Sequence, residues 1–120
     1  MTAVAVEAVL IACVPDAIPR EQRAAHFALA KRLFTELAEA RGAIPGGYVL
    51  TFRADALLLI ARFVDNERRC CPFIQFEIAV SADAGPVFLR MNGPDGTRSL
   101  IEAELGLDAC PSSGCGCNGD

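Results

Sequence analysis

The sequence predicts a single α+β domain in which one four-stranded sheet packs against two long helices and one short helix. Three observations predict this class. The chain has 120 residues, which is the size of one domain. Hydrophobic residues make up 52% of it, which is enough for one core. Segments with the two-residue alternation of strands also interleave with segments whose apolar residues recur every three or four positions. The predicted element order is β-α-β-α-β-β-α, and the pattern leaves the strand order within the sheet open.

The first half of the chain predicts a strand, a long helix and a second strand. Residues 4–14 are rich in Val, Ile, Leu and Ala and stop at Pro15, which indicates a buried strand. A helix is predicted from residue 19 to about residue 41, because apolar residues form one stripe and Gly42 is a natural stop. Residues 48–53 then alternate as a strand does.

The second half predicts a helix, a hairpin and a short helix. The helix runs over residues 55–70, and Pro72 ends it by disfavouring helical geometry at Cys71. Residues 74–80 and 87–91 alternate on either side of a turn, which predicts a β-hairpin. The cluster N-G-P-D-G precedes a short third helix, and the apolar pattern is complete at about residue 105.

The last fifteen residues differ from the rest. Residues 106–120 contain Gly, Pro, Ser, Asn and Asp in place of apolar periodicity, and they carry Cys110, Cys115 and Cys117. They are predicted to form a flexible cysteine-rich tail after a single domain of residues 1–105. We expect that domain to fold without a metal and without the tail.

Charge and hydropathy argue against several partners and predict a cytoplasmic location. The net charge of −4 argues against binding to nucleic acid or to an anionic membrane. Charged or proline residues interrupt every apolar run before membrane-spanning length. The apolar beginning contains Glu7 and has no Lys or Arg before it, so we interpret it as a strand and not as a signal peptide. In a reducing cytoplasm, clustered cysteines more often bind metal or perform redox chemistry than form structural disulfides.

The six cysteines are the chemical theme of the sequence, and two of them are adjacent in E-R-R-C-C-P-F. Cys70 and Cys71 lie at the predicted end of a helix, where the macrodipole disfavours a thiolate while Arg68 and Arg69 favour one. Two neighbouring thiols rarely complete a tetrahedral metal site, so further ligands are needed. We expect at least one of the two thiols to be accessible to solvent, because the proline junction lifts the backbone out of the helix.

The tail supplies further ligands in C-P-S-S-G-C-G-C. Thiolates are the ligands that Cu(I), Zn(II) and other thiophilic ions prefer, and a C-G-C pair places two sulfurs on one ion without strain. The spacing matches neither a zinc ribbon nor a ferredoxin cluster. The predicted metal ligands are therefore Cys70, Cys71, Cys110, Cys115 and Cys117.

Other residues are expected to have structural roles. Cys13 is interpreted as a small core residue. His26 has no second His or carboxylate at helical spacing, so no function is assigned to it. Glu67 and the two arginines after it are interpreted as a solvated helix end. No nucleotide-binding glycine motif is present in the sequence.

The stretches ADALLLIARFVDNERRCCPFIQFEIAV and GPVFLRMNGPDGTRSLIEAEL carry a family resemblance over roughly residues 45 to 105. They resemble a family of small bacterial proteins marked by an E-R-x-C-C-P-F signature, which is associated with resistance to mercury and other thiophilic metals. The resemblance implies that Cys70 and Cys71 are functional thiols, and it brings no established activity with it. The cysteine-rich tail lies outside the resemblance.

Two hypotheses on function follow. The first is a binding protein that sequesters a soft metal ion or transfers it to a partner protein. Mercury and copper are the expected metals, and zinc is the next choice. The second is a thiol-dependent enzyme with redox or lyase chemistry, in which one cysteine attacks, a second resolves and Asp65 or Glu67 handles protons. The sequence does not determine the oligomeric state.

Overall fold

The computed structural model describes residues 12–105. Within this range one antiparallel sheet has the strand order β1-β2-β4-β3. The strands are β1 Ala40–Ile44, β2 Gly47–Phe52, β3 Gln75–Val80 and β4 Val87–Asn92. The α-helices are α1 Arg23–Arg32, α2 Leu57–Cys70 and α3 Thr97–Leu105. The predicted α+β class with a single four-stranded sheet is confirmed.

The helices cover one face of the sheet. Strand residues alternate between the faces, so β2 and β4 each direct every second side chain into the core. The fully buried strand residues are Leu50, Phe52, Val87, Leu89 and Met91. Ile60 and Phe63 from α2 belong to the same core. Glu77 and Arg90 lie opposite each other on β3 and β4 and form an ion pair of 3.1 Å.

The first strand of the sheet lies where the sequence predicted the end of a helix. The helical segment continues beyond α1 as one π-helical turn, Leu33–Leu37, and Ala38 is already extended. β1 follows and pairs with β2 across the two-residue loop of Pro45 and Gly46. Gly46 has φ of 76°, which glycine adopts without steric cost. The prediction of a helix to residue 41 is therefore wrong, because pairing with β2 overrides the helical propensity of this segment.

The two ends of the predicted order fall largely outside the described residues. Of the predicted first strand, residues 4–11 lie outside them, and residues 12–14 have no regular structure. The predicted tail, residues 106–120, also lies outside them. The predicted β3–β4 hairpin and third helix are present, and Ile101 on α3 is buried in the core.

Candidate functional site

The two adjacent cysteines lie at the end of α2. The N–H of Cys71 donates the last helical hydrogen bond, to the carbonyl of Glu67 at 2.7 Å, and Cys71 then leaves the helix with φ of −122° and ψ of 75°. Pro72 disfavours helical geometry at the residue before it, which explains this end point. The turn directs both cysteines inward, since Cys70 is 1% exposed and Cys71 is 0% exposed. The expectation that at least one of them is accessible to solvent is wrong.

A disulfide joins Cys71 to Cys13 across 58 positions of the sequence. Their Cα atoms are 4.5 Å apart, and the neighbouring N–H of Val14 donates to the carbonyl of Cys70 at 2.6 Å. The segment before α1 is thus held against the end of α2 by one covalent bond and one hydrogen bond. Cys13 is half-buried against the core, but it is also a bonding partner of Cys71, which the interpretation as a core residue missed.

The sulfur atoms of three cysteines form one cluster. The Sγ atoms of Cys13, Cys70 and Cys71 all lie within 4.8 Å of one another. When the disulfide is reduced, this geometry can hold a metal ion. Cys70 and Cys71 were predicted as metal ligands, and the structure brings Cys13 to them from a distant part of the chain. Cys110, Cys115 and Cys117, the other predicted ligands, lie outside the described residues.

Cys70 is the free cysteine of the described residues. Burial raises the pKa of its thiol to about 11, and the negative charges of Glu67 and Glu104 contribute to the rise. Arg69, which the sequence placed near the thiols, instead donates to Asn66 Oδ1 at 2.7 Å and approaches Asp65 at 3.7 Å. The thiol of Cys70 is therefore protonated at neutral pH.

A buried acid and imidazole pair adjoins the sulfur cluster. Glu67 and His26 are each 3% exposed, and His26 Nε2 lies 2.7 Å from Glu67 Oε1. The other oxygen, Oε2, is 3.3 Å from Cys71 Sγ. In the reduced protein that sulfur is a thiol that donates to the carboxylate, whereas in the disulfide it carries no proton. The interpretation of Glu67 as part of a solvated helix end is wrong.

The sequence does contain a signal for the burial of this carboxylate. Ile60, Phe63, Glu67 and Cys70 follow one another at spacings of three and four, so Glu67 lies on the buried stripe of α2. The partner His26 lies 41 positions away, and its ring stacks on Phe63 with centroids 5.5 Å apart. No local pattern predicts that distant pairing.

A cavity of about 390 Å³ opens beside Cys70, between α1 and α3. Apolar and small residues form much of its wall, and four polar side chains join them. The lining residues are Phe27, Ala30, Lys31, Thr35, Glu67, Cys70, Ala103 and Glu104. Desolvation and the charge of Glu67 raise the pKa of Glu104. The buried thiol therefore has an open space on one side and the disulfide on the other.

Comparisons with family models, with curated proteins and with solved structures found no match for this chain. Among residues 12–105, no helix is both long and apolar enough to cross a membrane. The chemistry of the sulfur cluster is therefore the basis for any proposal on function.

Proposed function

We propose that this protein binds a soft metal ion through Cys13, Cys70 and Cys71 when the chain is reduced. The observation that carries the proposal is the mutual approach of the three sulfur atoms within 4.8 Å. Thiolates select thiophilic ions, and burial protects the metal–sulfur bonds from competing water. Mercury(II) and copper(I) are the first candidates, because both bind well to two or three sulfurs. Zinc(II) ranks after them, because structural zinc sites need four ligands.

The high pKa of Cys70 also favours metal binding over thiol catalysis. A thiol with a pKa of about 11 is almost entirely protonated at neutral pH and is a poor nucleophile. A soft ion displaces the thiol proton as it binds, and the gain in metal–sulfur bonding offsets the cost of deprotonation. A chain with this site therefore releases protons when it takes up the metal.

The disulfide gives the proposed site a closed and an open state. A low-molecular-weight dithiol reduces the Cys13–Cys71 bond by thiol–disulfide exchange, so two electrons and two protons pass to the protein and the dithiol becomes a disulfide. Among residues 12–105, the reduced protein offers the three cluster thiols, and the oxidised protein offers Cys70 alone. In a reducing cytoplasm, the predicted location, the site is open.

The tail is proposed to deliver or remove the ion. Glu104 lines the cavity beside Cys70, and Cys110 follows it by six positions. Six residues span up to roughly 20 Å when extended. A tether of that length allows these thiols, Cys110, Cys115 and Cys117, to reach Cys70, and it gives them a high effective concentration there.

Metal titration of the full-length chain tests the proposal. In the variant with Cys110, Cys115 and Cys117 changed to Ser, only the cluster thiols remain. We expect this reduced variant to bind one mercury(II) ion in competition with a soluble thiol, and the same variant in its disulfide form to bind it at least 100-fold more weakly. Equal affinity of the two forms contradicts the proposal. Cys70→Ser in the same background removes one of the three sulfurs and is expected to weaken mercury(II) binding to the reduced form.

Thiol–disulfide exchange is the second candidate, favoured by a disulfide that has a third thiol beside it. In this reaction the Cys70 sulfur attacks Cys13, a Cys70–Cys13 disulfide forms, and Cys71 leaves as a thiol beside Glu67. Catalytic reduction of a disulfide substrate by an added dithiol distinguishes this activity. Turnover that is lost in Cys71→Ser favours the enzyme, whereas stoichiometric metal uptake without turnover favours the binding protein.

A further inference from the structure

We propose that the cavity beside Cys70 binds the organic group of a soft cation that carries one small apolar substituent, with the metal bonded to Cys70. The proposal extends the proposed soft-metal binding to the disulfide form of the protein and names a ligand class for Cys70. It rests on metal binding by Cys70 alone and requires neither Cys13 nor Cys71.

The cavity is larger than a bare metal ion requires. A bare ion between three sulfurs needs no space beyond the sulfurs themselves. The volume of about 390 Å³ equals roughly a dozen water volumes and lies within the usual range for small-molecule pockets. Phe27, Ala30 and Ala103 give the wall its apolar part. The space suits a compact apolar group such as a phenyl ring.

One free thiol, that of Cys70, lies at the wall of the cavity. Cys70 is free while Cys13 and Cys71 are joined, and it lines the cavity. A mercury(II) centre that already carries one carbon ligand is linear and needs one further strong ligand. An inorganic mercury(II) ion needs at least two. The single thiol at the cavity wall therefore matches the substituted cation.

Acidic side chains outnumber basic ones on the wall of the cavity. Glu67 and Glu104 both line the cavity, and Lys31 is the cationic side chain on its wall. Two carboxylates in a partly closed, apolar space favour a cationic ligand over a neutral or anionic one.

The binding step is a ligand exchange without electron transfer. The Cys70 thiol and a cation source R–Hg–X give Cys70–S–Hg–R and HX. The mercury–sulfur bond forms, the mercury–X bond breaks, and the thiol proton leaves with X. The carbon–mercury bond stays intact, so R occupies the cavity.

Competition binding with two organomercury probes tests the proposal. The protein is the full-length chain in its disulfide form, with Cys110, Cys115 and Cys117 changed to Ser, so that Cys70 is the remaining thiol. Phenylmercury and methylmercury are titrated against a soluble thiol. We expect one equivalent of either probe at Cys70 and a preference for phenylmercury of at least tenfold beyond the preference of the soluble thiol.

Two cavity variants and one control make the test specific. Ala103→Leu, at an exposed position, and Ala30→Leu, at a buried one, narrow the space and are expected to reduce the phenyl preference to within about twofold. Ala28→Leu is the matched control, because Ala28 lines a different cavity between α1 and α2 and its substitution leaves the preference unchanged. Circular dichroism confirms that each variant is folded, and Ala103→Leu keeps the test decisive if Ala30→Leu unfolds.

The outcomes separate this proposal from the proposed function. The cavity proposal is overturned if both probes bind equally, if the phenyl preference persists in Ala103→Leu, or if probe uptake persists in Cys70→Ser. Loss of inorganic mercury(II) binding by the reduced chain, with the phenyl preference intact, overturns the three-sulfur site alone. Inorganic mercury(II) binding by the reduced chain, with no phenyl preference in the disulfide form, overturns the cavity proposal alone.

Discussion

Removal of the Cys13–Cys71 disulfide is expected to lower the free energy of unfolding by about 4 kcal/mol. The bond closes a loop across 58 positions, and the chain-entropy relation gives roughly 14 cal/mol/K for a loop of that length, or about 4 kcal/mol at 25 °C. With a urea dependence of about 2 kcal/mol/M, the unfolding midpoint falls by about 2 M. Urea unfolding of the wild type with and without a dithiol measures the effect.

The Cys13→Ser variant controls for effects of the dithiol itself. It lacks the bond in both conditions, so its unfolding midpoint is the same with and without the dithiol and lies near that of the reduced wild type. A wild-type shift below about 1 kcal/mol contradicts the reasoning, because it means that the bond does not constrain the unfolded chain. One mercury(II) ion that bridges the same sulfurs closes the same loop and is expected to restore stability to the reduced wild type but not to Cys13→Ser.

Three further predictions follow from particular contacts. Gly47→Ala is expected to destabilise the fold by at least about 3 kcal/mol in thermal or urea unfolding, because a Cβ there meets the Met91 carbonyl oxygen. Gly42→Ala, where the Cβ has ordinary contacts, is the control and changes stability by less than about 1 kcal/mol. The Cys70 thiolate is measured by its ultraviolet absorbance, as the difference between the wild type and Cys70→Ser, both in the disulfide form. This absorbance is expected to rise with a midpoint near pH 11. A midpoint below pH 9 contradicts the effect of burial on this thiol. Deletion of residues 108–120 leaves the thermal melt of the domain unchanged within a few degrees, whereas collapse of the melt shows that the tail is structural.

Patterns within short stretches of the sequence were sufficient to predict several elements of the fold. The β3–β4 hairpin follows from strict alternation on either side of a turn, and the end of α2 follows from the restriction that Pro72 imposes on Cys71. β1 was missed because Ala40 and Arg41 continue the helical pattern, and the segment becomes a strand only by pairing with β2. The predicted fold class holds, because the described residues form one four-stranded sheet in which β1 is an edge strand.

The candidate site was predicted in part. Adjacency and the proline junction drew attention to Cys70 and Cys71, which the structure places in one cluster with Cys13. Cys13 joins them from 58 positions away, and His26 reaches Glu67 from 41 positions away. Contacts at such separations depend on how the segments pack. The periodicity of α2 did indicate that Glu67 is buried, but a charged residue on a buried stripe implies only that a partner exists, without naming it.

The number of sulfur ligands on the bound ion tests the central claim most directly. X-ray absorption spectroscopy of the reduced full-length chain, with Cys110, Cys115 and Cys117 changed to Ser and loaded with one equivalent of mercury(II), counts those ligands. The account predicts three sulfurs, and two after Cys70→Ser in the same background. Two sulfurs in both proteins contradict a site shared by Cys13, Cys70 and Cys71.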